Sequence, residues 1–170
     1  MKTVLLTGHF LSGAAEGAQL VLVGIFLLGL AAEAYVDLRH MIILDEILLA
    51  LIPAGLLYAG MGAIHWQDSL AGALTGSSAL GVIWFLSRGG LGLGDVKFIG
   101  VLGLWLGVSG VVTGLAMAFV TGGIAASVLC LSGNASLQSK VPFGPFLSLG
   151  AVISFFYSSR ILSWYWSLFI

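Results

Sequence analysis

Two of the seven carboxylates in this 170-residue chain stand where an acid is costly and therefore informative. Asp95 closes the run Gly92-Leu93-Gly94-Asp95, with Lys97 two residues on. Asp37 stands 58 positions earlier, at the end of another apolar segment. A carboxylate inside a membrane span costs roughly 2.5–3.5 kcal/mol at mid-bilayer and less toward the edge, so one found there marks a functional site. Two carboxyls brought close cannot both ionise cheaply, and such a pair holds a single proton. One member then takes a proton from water while the other protonates or polarises an amide carbonyl. The titration of the pair belongs to both groups together. The chemistry expected of Asp37 and Asp95 is amide hydrolysis at a membrane edge.

Other constellations compete weakly. A zinc-binding His-Glu-x-x-His helix is absent, as are multi-cysteine zinc patterns, and Cys130 is the only cysteine. No metal or cofactor is expected, and Cys130 reads as a small buried hydrophobe. His40 and His65 fall on opposite membrane faces in the topology below, and His9 falls in an N-terminal leader, so no serine, histidine and acid arrangement forms. Each aspartate also has a plain structural reading. Asp95 suits the N-cap of a helix, and Asp37 suits a loop carboxylate paired with Arg39 or His40. Glu33, one turn before Asp37 on the same helical face, is either a helper of the site or a group facing a wet cavity.

The elements that must position these groups follow from hydropathy. Hydrophobic residues make up 59% of the chain, charged residues 8%, and mean hydropathy is +1.13. A soluble domain carries about 25% charged residues, so the solvent here must be lipid. The net charge of −1, with no basic run, argues against nucleic acid as a partner. The expected fold is an all-α membrane protein of about six transmembrane helices in a single domain, residues 1–170. A crossing needs about 20 apolar residues. Spans are expected over Ala18–Val36, Ile47–Ile64 and Leu70–Ser87. The charge-free stretch Phe98–Leu131 is too long for one span and breaks best at Gly107-Val108-Ser109-Gly110. A sixth span begins near Val141 and runs past Tyr157, with Trp164-Tyr165-Trp166 as an interfacial anchor.

The N-terminus, Met1–Leu6 and the following Thr7-Gly8-His9, is expected to be an uncleaved, loosely ordered leader to the first span. Six spans place Arg39, Arg88, Lys97 and Lys140 on one side against Lys2 and Arg160 on the other. Both aspartates then face the cytoplasm. Glycines spaced four apart, at 72 and 76, 103 and 107, and 110 and 114, suit close helix packing in lipid. Gly92 and Gly94 permit backbone geometries closed to other residues and close approach of another segment.

Three segments then resemble one family. Gly92-Leu93-Gly94-Asp95-Val96-Lys97 is similar to the Gly-x-Gly-Asp signature of the type IV prepilin peptidases, which are intramembrane aspartic proteases. Ala34-Tyr35-Val36-Asp37-Leu38-Arg39, followed by Ile42–Glu46, resembles that family's first aspartate motif, with Leu44 where many members have proline. Pro142-Phe143-Gly144-Pro145-Phe146-Leu147, with Gly150-Ala151, resembles its segment near the last helix. The resemblance implies that Asp37 and Asp95 are the catalytic pair, supported by Gly92, Gly94, Lys97, Pro142, Gly144 and Pro145. It implies cleavage of a short basic leader from type IV prepilins or pseudopilins at the cytoplasmic face of the inner membrane. Asp45 and Glu46 are expected to attract that leader, and the fourth helix is expected to move. Longer family members that also methylate the new N-terminus carry a further region with paired cysteines, so methyl transfer is not expected here. An archaeal-type preflagellin peptidase and a small proton-coupled transporter using Glu33, Asp37 and Asp95 are the alternative readings.

Overall fold

The computed structural model describes residues 2–87, 90–132 and 142–168, with side chains from residue 15 onward. The leader's side chains, Arg88 and Lys140 lie outside the described residues. Among the described residues five helices follow in order: α1 (Lys2–His40), α2 (Asp45–Gly60), α3 (Trp66–Ser87), α4 (Leu93–Leu131) and α5 (Gly144–Ser167). Every regular element among the described residues is helical, which satisfies the backbone within each segment where no water can. Among the described residues four helices are long and apolar enough to cross a membrane, Ala15–His40, α3, α4 and α5, against the six spans expected. α2 stops at 16 residues because the chain turns at Met61 and Gly62.

The expected fourth and fifth helices form one element turned at Gly107. A straight helix of 39 residues would be about 58 Å long, roughly twice the hydrocarbon thickness. Gly107 adopts φ 67°, ψ −175°, a conformation that only glycine enters readily. Asp68, in the first turn of α3, accepts the Val108 N–H at 3.2 Å and so satisfies a donor freed by the break. Ahead of the break, Gly103 lies on Gly72 and Ile99 on Gly76. Past it, Val111 also reaches Gly76, while Gly114 and Gly122 lie against Gly150 and Phe146. The second half of α4 therefore doubles back along α3 and α5 toward the end of the bundle where α5 begins.

Glycine sets how closely these helices approach. A methyl group on Gly72 would lie 2.6 Å from the carbonyl carbon of Gly107 and 2.8 Å from its Cα. Backbone cannot yield as a flexible side chain can, so we predict that Gly72→Ala lowers stability by about 1–3 kcal/mol. Gly24 has nothing within 4 Å of such a methyl, so Gly24→Ala leaves stability unchanged or raised. Thermal unfolding in detergent separates the two.

Trp105 knits the remaining helices together. Its indole N–H donates to the Leu51 carbonyl at 3.1 Å, and its ring stacks on Phe26 at 4.6 Å and Tyr58 at 5.3 Å. Gly55 leaves the space for it. α1, α2 and α4 are thereby held together through one buried side chain, below the ends of α1 and α4 that carry the two aspartates. Cys130 is half-buried rather than buried and has no cysteine to pair with.

Candidate active site

Asp37 and Asp95 line the same polar cavity of about 310 Å³. The remaining wall comes from Met41, Ile42 and Ile43, from Asp45 at the start of α2, and from Gly92, Gly94 and Lys97. Both aspartates are largely enclosed, at 5% and 8% exposure.

Asp37 lies inside α1, which continues to His40, rather than in a loop. The expected pairing with Arg39 or His40 is not formed, and Arg39 instead stands 5.5 Å over the Tyr35 ring. The partner of Asp37 is the backbone of a segment 107 residues away: Gly144 donates its N–H to Oδ2 at 2.8 Å. The sequence Phe143-Gly144-Pro145 builds that donor. Pro145 suits the first turn of α5, where its missing N–H costs nothing. Gly144 presents a free helix-terminal N–H, which favours an anionic partner. It also has no side chain to hold the carboxylate off, since a methyl group there would sit 2.7 Å from Oδ2.

Asp95 is the third residue of α4, not its N-cap. Gly92 takes the cap position, and the Asp95 Oδ2 reaches back to accept the Gly92 N–H at 3.2 Å. Gly92 adopts φ −78°, ψ 144°, ordinary extended backbone, so the turn needs no glycine on conformational grounds. Space is the reason instead. A methyl group on Gly94 would lie 2.9 Å from Cβ of Ile43, and one on Gly92 would lie 3.1 Å from Oδ2 of Asp95.

Lys97 and Asp45 form a two-pronged ion pair, both contacts at 2.9 Å, with the side chains 57% and 60% exposed. An exposed pair of this kind contributes at most about 1 kcal/mol, so Lys97→Met is expected to shift the unfolding midpoint little. Glu46 is exposed, does not line the cavity, and has no ion pair among the described residues. Pro142 is half-buried and Pro145 stands beside Gly144; neither lines the cavity. No cluster of His, Cys, Asp and Glu that could hold a metal ion occurs among the described residues.

Two features, at Met41 and Ile43, escape sequence reasoning, and a third, at Glu33, is only partly legible in it. Met41 has a positive φ of 55°, rare for a residue with a side chain, where the chain leaves α1. Ile43 packs into the space left by two glycines, Gly94 and Gly144. Glu33 is fully buried and bonds to the backbone N–H of Leu44 at 3.3 Å. Its spacing from Asp37 was the one visible signal.

Residues 22–127 match the type IV leader peptidase family. A protein from Aeromonas salmonicida (strain A449), named prepilin leader peptidase/N-methyltransferase, is 30% identical over 144 residues, covering 81% of this chain and 50% of the relative. Proteins of the same name from Xanthomonas campestris pv. campestris and Pseudomonas aeruginosa are 27% identical over 143 residues and 28% over 175. These alignments cover 80% and 97% of this chain, and 50% and 59% of the relatives. The chain spans about half the length of the curated relatives it matches. No solved structure is significantly similar to it.

Proposed function

The chain belongs to the type IV leader peptidase family, and from that membership we propose that it is an aspartic endopeptidase that removes the leader from type IV prepilins or pseudopilins. The observation that carries the reading is the placing of Asp37 and Asp95 on one polar cavity, each with one oxygen held by a backbone N–H.

In both aspartates Oδ2 is the oxygen so held, and Oδ1 accepts no hydrogen bond among the described residues. The reaction needs one proton shared by the pair. The ionised carboxyl takes a proton from water as the water oxygen attacks the scissile carbonyl carbon. The protonated carboxyl gives its proton to the carbonyl oxygen, and a neutral gem-diol forms. On collapse one hydroxyl gives its proton to the ionised carboxyl, the protonated carboxyl gives its proton to the amide nitrogen, and the carbon–nitrogen bond breaks, leaving a carboxylic acid, an amine and the singly protonated pair. The backbone donors from Gly92 and Gly144 fix both carboxyls before substrate arrives, which lowers the reorganisation the reaction requires.

We place the cavity at the cytoplasmic face of the inner membrane. Arg39 and Lys97 stand at the helix ends beside the cavity, and Arg88 and Lys140 fall in segments that the sequence assigns to the same side. A basic leader would meet Asp45 and Glu46 there. Asp45 already has Lys97 as a partner, so Glu46 carries the unpaired charge. Glu46→Lys is accordingly expected to raise KM for a basic leader more than Asp45→Asn does. Unchanged KM in Glu46→Lys would remove Glu46 from leader recognition.

The direct test is incubation of membranes containing the protein with a prepilin-like substrate, followed by mass measurement of the leader-free product. A product shortened by the leader supports the reading. Intact substrate in the presence of inserted protein, for each of several prepilins and pseudopilins, contradicts it.

A further inference from the structure

We propose that Glu33 is a positioning residue for the aspartate pair: by accepting the Leu44 N–H it seats Ile43 against Gly94 and Gly144, the glycines that adjoin Asp95 and hold Asp37. The inference rests on the proteolytic reading above.

Glu33 is fully buried within α1, and Oε2 accepts the Leu44 N–H at 3.3 Å while Oε1 has no hydrogen-bond partner among the described residues. Burying a carboxyl with half its acceptor capacity unmet is costly. A leucine would fill the same space without that cost. The hydrogen bond to Leu44 is then the contact through which Glu33 can position its neighbours.

That bond falls at the point of greatest leverage. The segment between α1 and α2 is only four residues, 41–44, and its first residue, Met41, has the unfavourable φ of 55°. A strained residue persists only where the surroundings over-determine it. At one end the Met41 N–H bonds to the Asp37 carbonyl at 2.9 Å. At the other, Leu44 caps α2 with no side-chain hydrogen bond, so Glu33 supplies the second anchor.

Between the anchors stands Ile43. Its Cβ lies 2.9 Å from where a methyl group on Gly94 would be, and its Cδ1 lies 3.0 Å from the corresponding point on Gly144. Ile43 thus touches the residue before Asp95 and the residue whose N–H fixes Asp37. A shift of the 41–44 segment moves Ile43, and with it the spacing of the two loops that orient the carboxyls.

The test uses the full chain in nanodiscs, with cleavage of the prepilin-like substrate and hydrogen exchange of residues 41–48 read together. Displacements near 1 Å cost up to about a hundredfold in rate, so Glu33→Leu is expected to lower kcat about 10- to 100-fold with little change in KM. Exchange at Leu44 should accelerate in the same variant. Glu33→Gln keeps an acceptor oxygen and is expected to stay within about threefold of wild type in kcat, with slow exchange. Ile43→Ala leaves α1 untouched and is expected to show the same loss of kcat as Glu33→Leu. This arm decides the matter if Glu33→Leu does not insert. Full kcat in Ile43→Ala, a Gln variant as slow as the Leu variant, or unchanged exchange in Glu33→Leu would each overturn the proposal. Failure of the proteolytic reading shows separately, as wild type that does not cleave or Asp37→Asn that still does.

Discussion

Asp37→Asn and Asp95→Asn are each expected to lower the single-turnover cleavage rate by on the order of 10²–10⁴-fold, the range set by loss of a positioned acid or base. The two substitutions together should cost little more than either alone, because groups that act as one unit are not additive. Both variants should fold. Asparagine keeps the shape of aspartate and an oxygen able to accept the Gly144 or Gly92 N–H, 2.8 and 3.2 Å away in the native protein. Unfolding midpoints close to wild type, alongside the lost rate, would separate chemistry from structure. A single variant that retains near-native turnover would show that its carboxyl is not part of the reaction.

Gly144→Ala is expected to have the next largest effect, and through position rather than chemistry. The added methyl would stand 2.7 Å from Oδ2 of Asp37 and 3.0 Å from Cδ1 of Ile43. The carboxylate can rotate away, but only by giving up its backbone donor. Misplacement of a reacting group on this scale costs about 10- to 100-fold in kcat. Stability should fall less than in Gly72→Ala, where the added methyl meets backbone rather than side chains. Gly92→Ala supplies an intermediate case, with 3.1 Å to Oδ2 of Asp95. Rates that rank Gly24→Ala, Gly92→Ala and Gly144→Ala in descending order would follow this geometry. Native turnover in Gly144→Ala would mean that the Gly144 donor has no part in orienting Asp37.

Much of this was legible in the residues themselves. Hydropathy alone identifies a helical membrane protein, and a charge-free run too long for one crossing betrays the turn near Gly107. The two aspartates stand out because apolar sequence surrounds them. What stayed hidden depends on contacts between distant segments. Nothing local shows that the Gly144 N–H would meet Asp37 across 107 positions. Nor does local sequence pair Lys97 with Asp45, 52 residues apart, rather than with a lipid phosphate. The Gly-x-Gly spacing suggested unusual backbone angles or close approach of another segment; Gly92 is extended, and the need is for room beside Ile43 and Asp95. Asp95 looked like an N-cap because the start of α4 could not be fixed within three residues from pattern alone. Four long apolar helices where six spans were expected reflect the short α2 and the merged α4, both consequences of tertiary turns.

The central claim is that Asp37 and Asp95 act together on one scissile carbonyl. It is tested most directly by the affinity of a prepilin peptide whose scissile amide is replaced by a hydroxyethylene group, which imitates the tetrahedral intermediate. Tight binding to wild type, lost in Asp37→Asn and in Asp95→Asn alike, is the predicted result. Affinity unchanged by either substitution would contradict a shared site.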